Sequence, residues 1–353
     1  MKRLVLLGDG AAHLQALQDF ARERVAAAEV TWVTPSSHWF CPPMLAGCVA
    51  GRYRAADCQV SLAPMAAAAG VHLVESPVAA LDLASRCVRL ADGRAIGYDV
   101  LSLDTGPAID RLRIEGAAEH ALSVRPVGRF VELLERLLDL AARRPLDVVV
   151  IGGGQLAVEI AFALEQRIGG GATGARIVLA AGRDGVLPGT SPRLAARALQ
   201  RLAARRITVF HEDCVRIDAQ AVHLAGGARL ACDAPVLADV VALPPWLRDS
   251  GLALGEGGLV ATLRTLQSSS HAEVFAAGAA RRGGELLAQN LRRALGGGQL
   301  VQQALGTRGL RLIAEGDRRA IAAWRDWSAE GAWVGLWKER RDRAFLARHA
   351  AAR

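Results

Sequence analysis

The sequence predicts an α/β fold made of two parallel-sheet domains, the second inserted into the first, with a C-terminal helical interface segment. Three observations carry this. The stretches LVLLGDGAAH (residues 4–13) and VVVIGGGQLAVEIA (148–161) each close a short apolar strand with a glycine-rich turn and then open a helix. After the second of these, strands and helices alternate until an apolar run at 274–278 returns the chain to the first domain. One such turn is a common way to leave a strand. Two in strand–turn–helix context point to two Rossmann-like dinucleotide sites facing each other, the arrangement in which a flavin takes hydride from a nicotinamide nucleotide.

In the first turn, Gly8 permits the sharp exit from strand 4–7, and Gly10 lets backbone approach a pyrophosphate with no side chain between. The helix that follows, 12–24, offers free amides and its positive end. His13 stands where a third small residue is usual. It reads either as a polar handle beside a cofactor or as a packing residue with a ring nitrogen on a carbonyl. Strand 30–34 comes next, then SSHWFCPPMLAGCVAG, strand 71–74, a hairpin over 78–90 ending at Asp92-Gly93, and a buried strand 98–103 stopped by Asp104-Thr105-Gly106-Pro107. Helix 128–142 leads to Pro145 and the second domain.

There the plan repeats: strand 147–151, helix 155–166, strand 176–180, helix 193–205, strand 208–212 and a hairpin around Gly226-Gly227. Gly152, Gly154 and Ala157 satisfy the glycine pattern in full. Helix 285–295 ends at Gly296-Gly297-Gly298, a fitting C-cap. The expected domains are 1–125 with 266–315, then 126–265, then a tail at 316–353.

With 353 residues, 52% hydrophobic and 22% charged, the chain is long enough for two cores and is not disordered. Its six cysteines include no C-x-x-C, and its eight histidines no metal spacing, so no metal site is expected. No uncharged run reaches the ~18–20 residues of a membrane span, and the expected location is cytoplasmic. The net charge is +8, with much of the excess near Trp324, Trp327, Trp333 and Trp337, which Lys338, Arg340, Arg341, Arg343 and Arg348 follow. Aromatics interleaved with cations read as an interfacial contact with a membrane or a partner protein, or as a helix packing its tryptophans inward. No nucleic-acid motif accompanies them.

Together LVLLGDGAAH, YDVLSLDTGP, the second glycine turn, SGLALGEGGLVATLRTLQSSSHAEVFAAG and LAQNLRRAL resemble the pyridine nucleotide-disulfide oxidoreductase superfamily. The branch they are most similar to is that of type II NADH dehydrogenase-like proteins, including FAD-dependent oxidoreductases associated with selenide, water dikinase. The resemblance implies FAD and NAD(P)H as cofactors and a quinone or other small electron acceptor. It places Gly8, Gly10 and His13 at the FAD pyrophosphate, Asp104, Thr105 and Gly106 closing over it, and backbone of Val78 at the adenine. It places Gly152, Gly154 and Ala157 at the nicotinamide nucleotide, and Glu159 near the stacked rings.

The chain departs from that pattern. Gly278 is followed by Ala279 where the superfamily has an aspartate for the flavin ribityl chain, and the following segment is short. The acid that binds a ribose hydroxyl at the end of the second strand is replaced by Thr34 in one domain and Ala181-Gly182 in the other. The Ala-Thr-Gly expected before Pro244-Pro245 reads Asp239-Val240-Val241-Ala242. Arg183, next to the lost acid, fits an NADP site or a solvated loop. Cys41 stands where a redox group would meet the flavin, and is either a thiol relay or a small buried residue. The departures leave two further readings beside the FAD-dependent oxidoreductase: a thiol-linked reductase using Cys41, and a homologue that keeps the fold as a binding or partner subunit.

Overall fold

The computed structural model describes residues 1–25, 28–105, 108–170, 174–255, 258–277, 283–303, 309–324 and 327–350. Gly106, Gly278 and Ala279, expected at the cofactor, lie outside these.

Five parallel strands form the first sheet, in the order Val274–Ala276, Val100–Leu103, Lys2–Leu7, Ala28–Thr34, His72–Glu75. Alternation along the central strand explains why it is central. Leu4 and Leu6 pack on one face with Leu14, Leu17 and Phe20 of helix Ala11–Arg22. Val5 and Leu7 pack on the other with Val88, Tyr98 and Leu101. A strand apolar on both faces can only lie inside a sheet covered on both sides.

The second sheet, also five parallel strands, runs Leu122–Ser123, Ala234–Leu237, Asp147–Ile151, Arg176–Ala180 and Thr208–Phe210. Val148 and Val150 face one core, Val149 and Ile151 another. Because Leu122–Ser123 pairs with Ala234–Leu237, the second domain begins before residue 126. Ile114 and Ala117 already belong to its core with Val149 and Ile151.

The C-terminal residues form a further unit, which the sequence reading expected at 316–353. It starts at Arg311, with an antiparallel meander Arg311–Ala314, Ala320–Trp324, Trp327–Gly331, followed by helix Ala332–Ala350. Ile313, Ala314, Ile321 and Ala323 pack into the core of the second domain, so this unit is docked and not a free extension. Gly335 allows the helix to lie directly against the backbone carbonyl of Arg318, where any Cβ would collide. No helix among the described residues is long and apolar enough to cross a membrane.

Candidate active site

The two glycine turns have the same construction. Gly8 adopts φ +98° and Gly152 φ +130°, conformations that side chains resist. Gly8 N–H donates to Val33 O and Gly152 N–H to Ala180 O, both at 2.9 Å, which pins each turn to the neighbouring strand. Each helix then starts without a side-chain cap of its own.

In both turns the exposed amides are taken by an aspartate from the neighbouring strand's end. Asp104 Oδ2 accepts from Ala12 N–H at 2.8 Å and His13 N–H at 3.1 Å. Its side chain lies where a Cβ on Gly10 would be. Asp239 Oδ2 accepts from Ala157 N–H at 2.9 Å and would stand 2.7 Å from a Cβ on Gly154. Burial raises the pKa of both carboxyls above the usual aspartate range. Arg125 lies within electrostatic reach of Asp239 and of Asp9 in the first turn.

His13 is fully buried, with Nδ1 2.8 Å from Gly8 O and Nε2 2.8 Å from Ser102 Oγ. Since a carbonyl only accepts, Nδ1 carries the proton and Nε2 accepts from Ser102. Burial lowers its pKa and favours this neutral form. Its imidazole therefore locks the turn from beneath. Thr34 is buried at its strand end, its hydroxyl donating to Ser36 O. Thr105 backs against Gly8. Val78 is half-buried and opens strand Val78–Asp82 of a separate antiparallel sheet.

A second polar cluster lies behind the second turn. Glu159 is buried, with Oε1 accepting from Ala314 N–H at 2.8 Å and from Gln155 Nε2 at 3.4 Å. Burial raises its carboxyl pKa, and Lys338 opposes that shift. Lys338 Nζ donates to Pro43 O at 2.8 Å and to Asp342 Oδ2 at 2.7 Å. Burial alone would lower the lysine's pKa, but Glu159 and Asp342 together raise it. Cys41, two residues from Pro43, is fully buried, and desolvation and Asp342 push its thiol up to about 12. A thiolate relay at Cys41 is therefore disfavoured by its surroundings.

Cys58 is buried beside Cys48, a proximity the sequence spacing did not signal, and its thiol donates to Arg54 O at 3.5 Å. Cys48 borders a cleft of about 680 Å³ lined also by Arg52, Tyr53, Arg167 and Arg343. Arg183 is exposed and engaged by Asp213, backbone N–H to Oδ1 at 3.1 Å and Nε to Oδ2 at 2.7 Å. No group of metal-binding residues occurs among the described residues.

Residues 2–304 match the family model described as pyridine nucleotide-disulphide oxidoreductase. The chain belongs to this family. An NADH dehydrogenase-like protein of Mycobacterium tuberculosis is 31% identical over 180 residues, 48% of this chain. The match spans 43% of that relative's length. Among solved structures the fold is shared with the sulfide:quinone oxidoreductase of Aquifex aeolicus, with TM-score 0.81, 16% identity and 100% of this chain on 92% of that one. It is also shared with NDH2 of Plasmodium falciparum in complex with NADH, with TM-score 0.77, 12% identity, and 100% of this chain on 99% of that one.

Proposed function

We propose that the protein is an FAD-dependent NAD(P)H oxidoreductase that passes reducing equivalents to a quinone or other small acceptor. The observation that carries this reading is the pair of strand-end turns, each with a left-handed glycine and helix amides that already hold an anion. That both amide sets donate to aspartate carboxyls supports reading them as anion sites. The residues therefore fit a dinucleotide in each domain. When bound, flavin and nicotinamide supply the hydride chemistry. The chain's share is to hold the two dinucleotides: Gly8 and Gly10 admit the flavin pyrophosphate, Gly152, Gly154 and Ala157 the nicotinamide one, and buried His13 keeps the first turn rigid. Glu159 and Lys338 keep the space behind the second turn closed to water.

On this reading the acceptor side faces a membrane surface. Trp327 and Trp333 are half exposed, and Arg340, Arg343 and Arg348 are exposed on helix Ala332–Ala350. Aromatic rings with flanking arginines complement an anionic headgroup layer, the source of a lipid-soluble quinone.

A visible spectrum of the protein after incubation with FAD, then with NADPH or NADH, tests the reading. Flavin absorbance retained on gel filtration and bleached by either nucleotide supports it. A protein that stays colourless overturns it in favour of the second reading, a partner subunit. That second reading is favoured by Ala279 standing where the superfamily has its flavin-binding aspartate.

A further inference from the structure

We propose that Asp104 is a built-in competitor of the flavin pyrophosphate, holding the amides of Ala12 and His13 until the dinucleotide displaces it, and that Asp239 plays the same part for the nicotinamide nucleotide at Ala157. The inference rests on the reading of the two turns as dinucleotide cradles.

The geometry leaves no room for sharing. A phosphate oxygen bound to the first amides of helix Ala11–Arg22 must occupy the position of Asp104 Oδ2, 2.8 Å from Ala12 N. Both groups are anionic and draw on the same two N–H donors. The space above Gly10, kept free by its missing side chain, is filled by the same carboxyl. At the second turn Asp239 takes the Ala157 amide and the space above Gly154 in the same way. The repetition in two separate sheets makes this a property of the construction.

Asp104 cannot move far when displaced. Its backbone N–H donates to Leu7 O at 2.9 Å and its carbonyl accepts from Gly10 N–H at 2.8 Å. Only the side chain can rotate, and it remains beside the phosphates. There it has lost two N–H partners and gained anionic neighbours, and both changes favour the neutral acid. Flavin binding therefore takes up a proton. The charged and titratable groups facing Asp104 are His13 from the helix and Asp9 from the turn, with Arg125 reaching Asp9 from across the domain boundary. His13 is neutral, and Asp9, whose carboxyl burial also raises, is the other group at the turn that can titrate, so substitution must tell Asp104 from Asp9. Burial already raises its carboxyl. Affinity for FAD is flat below that raised value and falls above it, approaching about tenfold per pH unit for one proton.

The test is calorimetric titration of the full chain with FAD, from mildly acidic to mildly alkaline pH, in buffers of different ionisation heat. The wild-type protein is expected to take up close to one proton per FAD on the alkaline side. Asp104→Asn keeps the shape without the charge. It should bind FAD about tenfold more tightly there, with no pH slope and no proton uptake. Asp239→Asn should do the same for NADPH. Asp9→Asn separates the two raised carboxyls, so uptake that persists in Asp9→Asn assigns the proton to Asp104 even if Asp104→Asn folds poorly, and uptake lost in Asp9→Asn overturns the assignment. FAD binding that is pH-independent, without proton uptake, overturns the competition and leaves the flavin reading standing. No FAD binding by the wild type or Asp104→Asn overturns both.

Discussion

Glu159 Oε1 accepts the Ala314 backbone N–H at 2.8 Å, joining the helix behind the second glycine turn to the first strand of the C-terminal meander. Glu159→Ala leaves a buried amide without a partner and should cost about 1–3 kcal/mol in urea unfolding, whereas Glu159→Gln keeps an acceptor and most of the stability. The pH dependence has a definite sign. Because burial raises this carboxyl, the folded chain binds the proton more strongly than the unfolded chain. The wild-type contribution therefore falls as pH rises from the ordinary glutamate range through the raised value. The glutamine variant should gain on the wild type across that window. A stability difference constant with pH would refute the assignment.

Lys338 is the cation of the same cluster. Lys338→Met removes its bonds to Pro43 and Asp342 and leaves two buried carboxyls without it. A loss of about 3–5 kcal/mol is expected, the range for breaking a buried pair from one side. Thermal unfolding measures it. An unchanged midpoint would mean that water reaches the site.

Thiol labelling separates the cysteines. Burial and Asp342 push Cys41 up to about 12, while the neighbouring Cys58 lowers the half-buried Cys48. Iodoacetamide at mildly alkaline pH should modify Cys48 first and leave Cys41 intact until the chain unfolds. Mass spectrometry of the digested protein reads the order. Early modification of Cys41 would restore it as a redox candidate.

Arg183 is paired with Asp213, so its guanidinium is not free for a 2′-phosphate. Asp213→Asn should release it and raise affinity for NADPH relative to NADH by about tenfold, the worth of one charge-assisted bond. Adding Arg183→Ala should cancel the gain. Nucleotide fluorescence titrations supply the ratio, and an unchanged ratio in Asp213→Asn would remove Arg183 from the site.

Membrane contact is best tested by point substitution, because deleting the docked C-terminal unit would expose the second core. Trp327→Ser with Trp333→Ser should abolish co-sedimentation with anionic vesicles while leaving the unfolding midpoint within about 0.5 kcal/mol of equivalent stability. Wild-type binding should weaken as salt screens the arginines. Equal sedimentation of both proteins would exclude the tryptophans as the contact.

Much of the frame was legible because it is local. A run such as 4–7 announces a two-faced buried strand, and a glycine turn announces the helix after it. The positions of Gly8, Gly10, Gly152 and Gly154 at the strand ends follow from spacing alone. The aspartate caps are not local. Asp104 was visible as part of a closing turn, but that its carboxylate rests on Ala12 and His13 depends on the register of two strands, which spacing does not contain. Lys338 reads in the sequence as one member of a basic run. Only the fold, by placing helix Ala332–Ala350 over Pro43, distinguishes it from its solvated neighbours. The meander was missed because the tryptophans at 324 and 327 carry the same composition whether they lie on a helix or at a hairpin tip.

The first sheet receives its edge strand, Val274–Ala276, only after the second sheet has been traversed. During synthesis the second sheet can assemble from contiguous chain, while the N-terminal strands wait with one edge unpaired and Pro43 still without Lys338. Domains generally fold as units as they emerge, and long-range pairings close last. The open edge of strand Val100–Leu103 is therefore covered only once residues 274–276 have been made.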